Sequence, residues 1–253
     1  MTSVAVHGAT GNLGSHVARQ AITRGWELAV LVRAPERLSR DIASRAKVSV
    51  ADLSSASTEE LSRFVAGHDA LVCCAGVVTE GERFVALFDR VVSAVETVQP
   101  QARPVCWFIA GAALLDLDAN GRRGVELPKV RDTYWPHRVN FERLQRTDLD
   151  WRLLCPGPMV NQPAIGIERL RISTDTLPSP LPAFARFLPS PLLLSLFVAK
   201  VPEMIVPYAD AAGVMLSNTT RGGPKSRKRV GLALPVGMRG RKEQWAARPR
   251  DAA

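Results

Sequence analysis

Three glycines near the start of the chain carry the clearest chemical signal in the sequence. A short apolar run, residues 4–6, leads into Gly8, Gly11 and Gly14, and an amphipathic segment follows. This order predicts a strand, a tight turn in which a pyrophosphate can approach the backbone, and a helix packed closely on the strand. The N–H groups at the helix start then face the phosphates. The predicted dinucleotide contacts of this turn are Gly8, Thr10, Gly11, Asn12, Leu13 and Gly14.

The end of the second predicted strand distinguishes between two nicotinamide dinucleotides. The strand at residues 26–32 is followed by Arg33, with Arg37 and Arg40 close behind. An NAD-specific fold usually places Asp or Glu here to hold the ribose hydroxyls, whereas a guanidinium suits a 2′-phosphate. The alternative is a solvated arginine at a strand end. We favour NADP(H) over NAD(H).

The ends of the later strands supply the remaining predicted contacts. In an open parallel sheet the ligand lies across the carboxyl ends of the strands, and small residues there leave room for a ribose. Further cofactor contacts are predicted at Asp52, Leu53, Cys74, Ala75, Gly76, Ala110 and Gly111. The sixth predicted strand, residues 149–155, ends in a Pro-Gly turn, and substrate contacts are predicted at Cys155, Pro156 and Gly157.

Two candidate catalytic residues, His137 and Tyr134, flank Pro136. A helix predicted to start at Pro136 and to run to about residue 147 places His137 on its apolar face, toward the sheet. An imidazole there can orient a substrate or move a proton, and the alternative is a core histidine bonded to a backbone carbonyl. Tyr134 precedes this predicted helix, so Tyr134 and Arg138 need not share a face.

Strand and helix patterns alternate along most of the chain. Predicted strands at residues 48–53, 69–76 and 105–109 alternate with helices at 58–66 and 82–98. This alternation predicts an α/β fold, a Rossmann-type doubly wound parallel sheet with a small C-terminal substrate region.

The region after the sixth predicted strand changes in composition. Residues 176–207 hold seven prolines, and residues 187–199 carry no charge. We interpret the uncharged run as an apolar helix that forms a substrate wall or lid, because it is too short to span a bilayer. Contact with a membrane surface is the less favoured alternative, since few cations line the helix. Residues 206–216 are predicted to form one more helix.

The net charge of +9 is concentrated at the C-terminus. Residues 221–253 hold ten Lys or Arg and two acidic residues, whereas residues 1–220 are close to neutral. We predict an NAD(P)-binding domain over 1–220 and a basic tail over 221–253 with one strand at 229–234. The tail could touch nucleic acid or an anionic membrane, but no nucleic-acid module accompanies it, so nucleic acid is not an expected partner.

The four cysteines lie in apolar runs without metal-ligand spacing. They are interpreted as reduced core thiols, which indicates a cytoplasmic protein with no metal site. We expect neither a signal peptide at the start of the chain nor a transmembrane segment. The expected partner is a small-molecule substrate, and the expected assembly is a monomer or a homodimer.

Three stretches resemble one family: the glycine turn from Gly8 to Gly14, the exit at Arg33, and residues 149–157. They are similar to the atypical short-chain dehydrogenase/reductase proteins, in the NAD(P)H-binding, NmrA-like and flavin-reductase-like branch. The resemblance implies a doubly wound sheet and a bound NADPH. It also implies a histidine near the nicotinamide, at the position of His137. The chain departs from typical members because Ala110-Gly111-Ala112 replaces their serine, and Arg138 replaces the lysine of their Tyr-x-x-x-Lys pair.

Two functions are compatible with these features. The first is an NADPH-dependent reductase acting on a small apolar, quinone-, flavin- or enone-like acceptor. The second is a non-catalytic NADP(H)-binding sensor of the NmrA-like type. The two differ in whether NADPH is consumed or only bound.

Overall fold

The computed structural model describes residues 1–241. Strands and helices alternate over most of this length, as the sequence predicts. The strands are β1 (Ser3–His7), β2 (Glu27–Val32), β3 (Lys47–Val50), β4 (Ala70–Cys73), β5 (Val105–Ile109), β6 (Trp151–Cys155), β7 (Met159–Val160), β8 (Arg171–Thr174), β9 (Val206–Pro207) and β10 (Lys228–Ala233). The helices are α1 (Asn12–Thr23), α2 (Arg40–Ala43), α3 (Thr58–Val65), α4 (Glu82–Thr97), α5 (Val130–Gln145), α6 (Ser190–Lys200) and α7 (Tyr208–Leu216).

Eight strands form the central sheet, in the order β3-β2-β1-β4-β5-β6-β10-β8. All pairs are parallel except β10 with β8, which is antiparallel. The chain moves outward in one direction from β1 to β3 and in the other from β4 to β6. The direction therefore switches between β1 and β4, which is where open sheets of this kind bind ligands.

Helices cover both faces of the sheet, and side chains alternate between the two faces along each strand. On one face Val4 and Val6 pack with Val17 of α1 and Val214 of α7. On the other face Ala5 belongs to a core with residues of α3, α4 and α5. The predicted Rossmann-type doubly wound fold is confirmed.

Helix α5 begins six residues earlier than predicted, so Pro136 lies inside it. A proline removes one intrahelical hydrogen bond, here to the carbonyl of Asp132. The first turns of α5 are solvent-exposed, and water can replace the lost bond there. The prediction of a helix start at Pro136 is therefore wrong, because a helix can continue through a proline near its exposed first turns.

Strand β10 lies inside the sheet, between β6 and β8. It matches the strand predicted at 229–234 to within one residue at each end. Two arginines of the expected tail bond to earlier parts of the chain: Arg227 donates to the carbonyl of Thr147, and Arg229 donates to Asp116. The expected boundary at residue 220 therefore has no structural counterpart. Residues 242–253 of the expected tail lie outside the described residues.

The proline-rich region from 176 to 207 folds into short pieces. A 3₁₀ helix (Ala183–Phe187), helix α6 and a second 3₁₀ helix (Val201–Met204) follow one another. The helix predicted at 187–199 starts later because Phe187 belongs to the first 3₁₀ helix. The short strand β9 precedes α7, so the helix predicted at 206–216 also starts later than expected. Among residues 1–241, no helix combines the length and the apolar character that crossing a membrane requires.

Candidate functional site

The glycine turn between β1 and α1 has the geometry that its spacing predicts. A Cβ on Gly14 would lie 2.1 Å from the carbonyl oxygen of Gly8, so only glycine allows this approach. Gly8 has a φ of +79°, which favours glycine. Thr10, Gly11 and Asn12 are exposed, whereas the side chain of Leu13 packs in the core. Leu13 can therefore contact a ligand only through its backbone.

The turn touches the end of β4 at the switch point. The amide of Cys74 donates to the carbonyl of His7, and a Cβ on Gly8 would lie 2.9 Å from the carbonyl carbon of Cys74. Cys74 and Ala75 are half-buried and Gly76 is exposed. The structure thus brings these predicted contacts, separated by some 65 residues in the chain, against the glycine turn.

Arg33 and Asp52 lie at the ends of the neighbouring strands β2 and β3. The two strand ends are joined by a hydrogen bond from the amide of Ala51 to the carbonyl of Val32. Hydrogen bonds from the amide and hydroxyl of Ser54 lower the pKa of Asp52, and the charge of Arg33 contributes. The guanidinium of Arg33 is exposed and donates no hydrogen bond to the described part of the chain. Leu53, the residue after Asp52, is buried in the core.

The end of β5 faces His137. Nε2 of His137 lies 3.4 Å from the position that a Cβ on Gly111 would occupy. Neither imidazole nitrogen has a hydrogen-bond partner among residues 1–241, and Nδ1 is buried. Burial lowers the pKa of His137 to about 4, so the ring is neutral at pH 7. Because neither ring nitrogen has a partner in the described part of the chain, the alternative interpretation of a histidine bonded to a backbone carbonyl is wrong.

Phe84 connects the ends of β4 and β5, and the sequence did not single it out. Its ring packs edge-on against His137 with centroids 5.8 Å apart. It also lies over Gly76, where a Cβ would come within 2.5 Å of the ring. Phe84 is itself buried, and its ring leaves no room for a side chain at position 76. In the sequence, the available indication of this role is that Phe84 lies in the first turn of the helix after β4.

Tyr134 lies within α5 rather than before it. Its ring stacks on His137 with centroids 6.0 Å apart, and 38 % of the residue is exposed. Because α5 includes both residues, Tyr134 and Arg138 share one helix face, contrary to the expectation. Arg138 instead forms an exposed ion pair with Glu142 at 3.7 Å. The structure therefore pairs Tyr134 with His137.

The three predicted substrate residues at the end of β6 are less accessible than expected. The Cys155 thiol is fully buried and donates to the carbonyl of Leu153, and burial raises its pKa. The side chain of Cys155 cannot contact a substrate, so that part of the prediction is wrong. Pro156 is also buried, and Gly157 is covered by Met204, whose carbonyl oxygen would lie 2.6 Å from a Cβ. The alternation of strand side chains turns Cys155 into the core.

A polar group that the sequence did not predict lies beside the glycine turn. The side-chain Nδ2 of Asn12 donates to the Tyr208 hydroxyl at 3.3 Å, and the ring of His16 stacks on Tyr208. His16 also contacts Asn161 at 3.3 Å. Helix α7 packs against α1 and brings Tyr208 to the start of α1, and no local sequence signal marks this contact.

The predicted residues fit a dinucleotide at the switch point. The glycine turn leaves a cradle that any Cβ would fill, and the first N–H groups of α1 have no intrahelical partners. Gly76, Ala110 and Gly111 carry little or no side chain at the neighbouring strand ends. Ala110 is buried, so it contributes only backbone. Within residues 1–241 no cluster of His, Cys, Asp or Glu could hold a metal ion.

Comparisons with known proteins identify the family and agree with the fold. A sequence profile of the NAD(P)H-binding family matches residues 8–179. A Rossmann-fold NAD(P)-binding family protein from Shigella flexneri is 14 % identical, with a TM-score of 0.61, and the match covers 96 % of this chain and 98 % of that chain. An oxidoreductase from Lactococcus lactis is 14 % identical, with a TM-score of 0.64 and coverage of 97 % and 95 %. A candidate NADH-flavin reductase from Streptococcus pneumoniae is 16 % identical, with a TM-score of 0.64 and coverage of 92 % and 100 %.

Proposed function

Because this chain belongs to the NAD(P)H-binding family, we propose that it is a cytoplasmic NADPH-dependent reductase of a small apolar acceptor. The acceptor is of the quinone, flavin or enone type. When bound, the reduced nicotinamide supplies a hydride. The chain's own residues bind the dinucleotide, position the acceptor and exclude water.

The proposal rests on three features that lie along the carboxyl edge of the sheet, where the parallel strands end. The glycine turn, the small residues after β4, and Gly111 with His137 all lie at the carboxyl ends of neighbouring parallel strands. A dinucleotide laid across this edge would have its phosphates at the helix start, where N–H groups and the helix dipole stabilise negative charge. Its far end would then reach the strands toward Gly111.

The preference for NADPH rests on Arg33. This guanidinium is exposed at the end of β2 and uses no donor within the described residues, so all of its donors are available to a phosphate. A bidentate guanidinium–phosphate contact is stronger than a contact with a neutral diol. Asp52, on the adjacent strand end, is already committed to Ser54.

His137 orients the acceptor rather than delivering a proton from an imidazolium. Its pKa of about 4 keeps it neutral near pH 7, and a neutral imidazole with the proton on Nε2 can donate one hydrogen bond toward the space over Gly111. Tyr134, stacked on this ring and partly exposed, offers the hydroxyl that can give up a proton. Both roles require the acceptor to lie near the start of α5.

One observation favours a second candidate, an NADP(H)-binding sensor that does not turn over the cofactor. Ala110-Gly111-Ala112 carries no hydroxyl where typical short-chain reductases resembling this chain have a serine. A protein that binds NADPH without an acceptor would need no such group. The two candidates share the binding site and differ only in turnover.

Calorimetric titration tests the binding site. Wild-type protein is expected to bind NADPH more tightly than NADH, and Arg33→Ala is expected to weaken NADPH binding by roughly tenfold to a hundredfold, because it removes a charge-assisted contact. Arg45→Ala is the matched control, because Arg45 is also exposed but precedes β3, at the amino ends of the parallel strands, whereas Arg33 lies at their carboxyl ends. Equal binding of both nucleotides, or an equal effect of Arg45→Ala, contradicts the proposed preference.

Turnover separates the two candidates. NADPH absorbance is followed with quinones, flavins and enones for wild type, Tyr134→Phe and His137→Ala. The reductase predicts NADPH consumption that drops in both variants while NADPH binding is retained. Tight NADPH binding without consumption for any acceptor class supports the sensor.

A further inference from the structure

Helix α6 is apolar on all sides, yet it lies at the surface. Apart from Ser190, Ser195 and Lys200, its residues are apolar, and only Leu193 and Phe197 are buried. Leu192 and Val198 are 54 % and 56 % exposed. A helix that is hydrophobic all round normally lies in a protein core or in a membrane, and this helix is too short to span a bilayer.

Other exposed apolar residues lie next to both ends of α6. Phe184 and Phe187, in the preceding 3₁₀ helix, are 56 % and 75 % exposed. From the far end of the chain, Arg239 donates to the carbonyl of Ala199, and the amide of Gly240 donates to the carbonyl of Pro202. These bonds hold the segment that contains exposed Val236 and Met238 against the end of α6. We call the exposed apolar residues of 184–198 and 236–238 the apolar face.

Positive charge borders the apolar face. Neither residues 177–202 nor residues 234–241 contain an Asp or Glu, whereas they hold Arg186, Lys200, Arg239 and Arg241. The Arg186 guanidinium lies 4.6 Å over the ring of Phe187, so charge and apolar surface are side by side. Glu203, the next acid in the sequence, binds Arg171, Lys200 and Ser179, so Lys200 is already paired. Asp118 lies in a loop that bonds to residues 185–188, and it pairs with Arg122 of the same loop.

We propose that the apolar face docks onto an anionic phospholipid surface. Phe184, Phe187 and Leu192 insert among the acyl chains at the interface, while Arg186 and Arg239 contact the phosphate headgroups. Surface-bound helices bind a bilayer by inserting apolar side chains and by attraction between their cations and the headgroups. This inference is independent of the proposed reductase activity.

The charges argue against a second copy of the chain as the occupant. A two-fold interface places the same patch of each subunit against the other, and these segments of a second copy would bring no Asp or Glu to pair with Arg186 or Arg239. An anionic bilayer complements both the apolar side chains and the bordering arginines. The sequence alone showed few cations near this helix, because Arg239 reaches it only through the fold.

Vesicle co-sedimentation of the full-length protein tests the proposal. Vesicles of phosphatidylcholine mixed with phosphatidylglycerol are compared with vesicles of phosphatidylcholine alone, at low and high NaCl. Wild type is expected to bind the anionic vesicles in a salt-dependent manner, with little binding to neutral vesicles. Phe187→Ser/Leu192→Ser and Arg186→Gln/Arg239→Gln are each expected to weaken this partitioning roughly tenfold or more.

Val50→Ser is the matched control, since Val50 is 61 % exposed on the edge strand β3, away from the apolar face. NADPH affinity, measured by calorimetry on all variants, is expected to stay unchanged, so this test is separate from that of the proposed function. Absence of a preference for anionic vesicles overturns the proposal, as does equal weakening by Val50→Ser. A wild-type dimer that Phe187→Ser/Leu192→Ser converts to monomers, without vesicle binding, assigns the face to self-association and also overturns it.

Discussion

Gly14 approaches the backbone of Gly8 more closely than any side chain allows. This contact sets the distance between β1 and α1, and it fixes where the N–H groups at the start of α1 point. Gly11 is different, because a Cβ there would lie 3.3 Å from the carbonyl oxygen of Gly8 and the residue is exposed. One glycine therefore serves packing, and the other serves access to the backbone.

We predict that Gly14→Ala and Gly11→Ala affect different properties. Gly14→Ala should destabilise the protein by about 1–3 kcal/mol, because the helix must move away from the strand. Gly11→Ala should cost less stability and should still weaken NADPH binding, because the methyl group occupies the approach to the backbone. Thermal unfolding and calorimetry measure the two effects. Equal destabilisation by both substitutions would contradict this division.

His7 and His137 are the two fully or nearly buried histidines among the described residues. Both nitrogens of His7 lack partners and its ring stacks on Phe64, and burial lowers its pKa to about 3. The unfolded chain binds protons at these residues from about pH 6.5 downward, whereas the folded chain does not. Their contribution to stability is therefore complete above pH 6.5 and is lost as the pH falls toward the folded values.

Below pH 6.5 the free energy of unfolding should fall by up to about 1.4 kcal/mol per pH unit for each of these two histidines. Denaturant titrations between pH 7.5 and about 4.5 measure this slope. His7→Leu should reduce the slope and leave the curve flat above pH 7, as in wild type. Identical slopes in the two proteins below pH 6.5 would show that His7 does not titrate as its burial requires.

At the scale of elements, Arg229 connects β10 to the region after β5. Its guanidinium donates to both carboxylate oxygens of Asp116 and to the carbonyl of Leu114, and it lies 5.0 Å over the ring of Phe141. Asp175, between β8 and β10, also pairs with it. A single side chain thus joins β10, an inner strand of the sheet, to α5, the helix that carries His137.

Arg229→Ala should destabilise the protein by about 2–4 kcal/mol, because the partly buried Asp116 loses its cation and the Leu114 carbonyl loses a donor. Arg19→Ala is the control, since Arg19 and its partner Asp41 are about half exposed, and it should cost less than about 1 kcal/mol. Urea unfolding at neutral pH compares the two variants. A small effect of Arg229→Ala would mean that β10 is held by its backbone pairing alone.

The molecule as a whole depends on a strand from the last part of the chain. Val230, Leu232 and Ala233 of β10 are fully buried, and β10 separates β6 from β8. Removing it would expose these side chains together with the hydrogen-bonding edge of β6. Each buried Val or Leu contributes about 1.5–3 kcal/mol, which is large beside the marginal stability of a domain.

A chain that ends at residue 220 should therefore lack a cooperative unfolding transition, whereas a chain that ends at residue 241 should keep one. Circular dichroism during thermal unfolding distinguishes the two. Retention of a wild-type transition in the shorter chain would mean that the predicted domain of residues 1–220 folds without β10.

The sequence by itself determined the fold class and the glycine turn. Both are encoded locally, because the alternation of strand and helix patterns and the spacing of Gly8, Gly11 and Gly14 depend on residues close together in the chain. The resemblance to NAD(P)H-binding proteins rested on the same local features, and the family comparison confirmed it. The position of Arg33 at the end of β2 was also predicted from local sequence, and its contact with a 2′-phosphate stays a prediction.

Only the tertiary structure decided which distant residues meet. The packing of α7 on α1 brings Tyr208 to Asn12, the position of β10 makes the C-terminal region part of the sheet, and Arg239 reaches the end of α6. The start of α5 also depended on context, because an exposed first turn tolerates the hydrogen bond lost at Pro136. Such contacts depend on the path of the whole chain, so no periodic pattern within a short stretch of sequence predicts them. Their free energy arises only when the elements pack together.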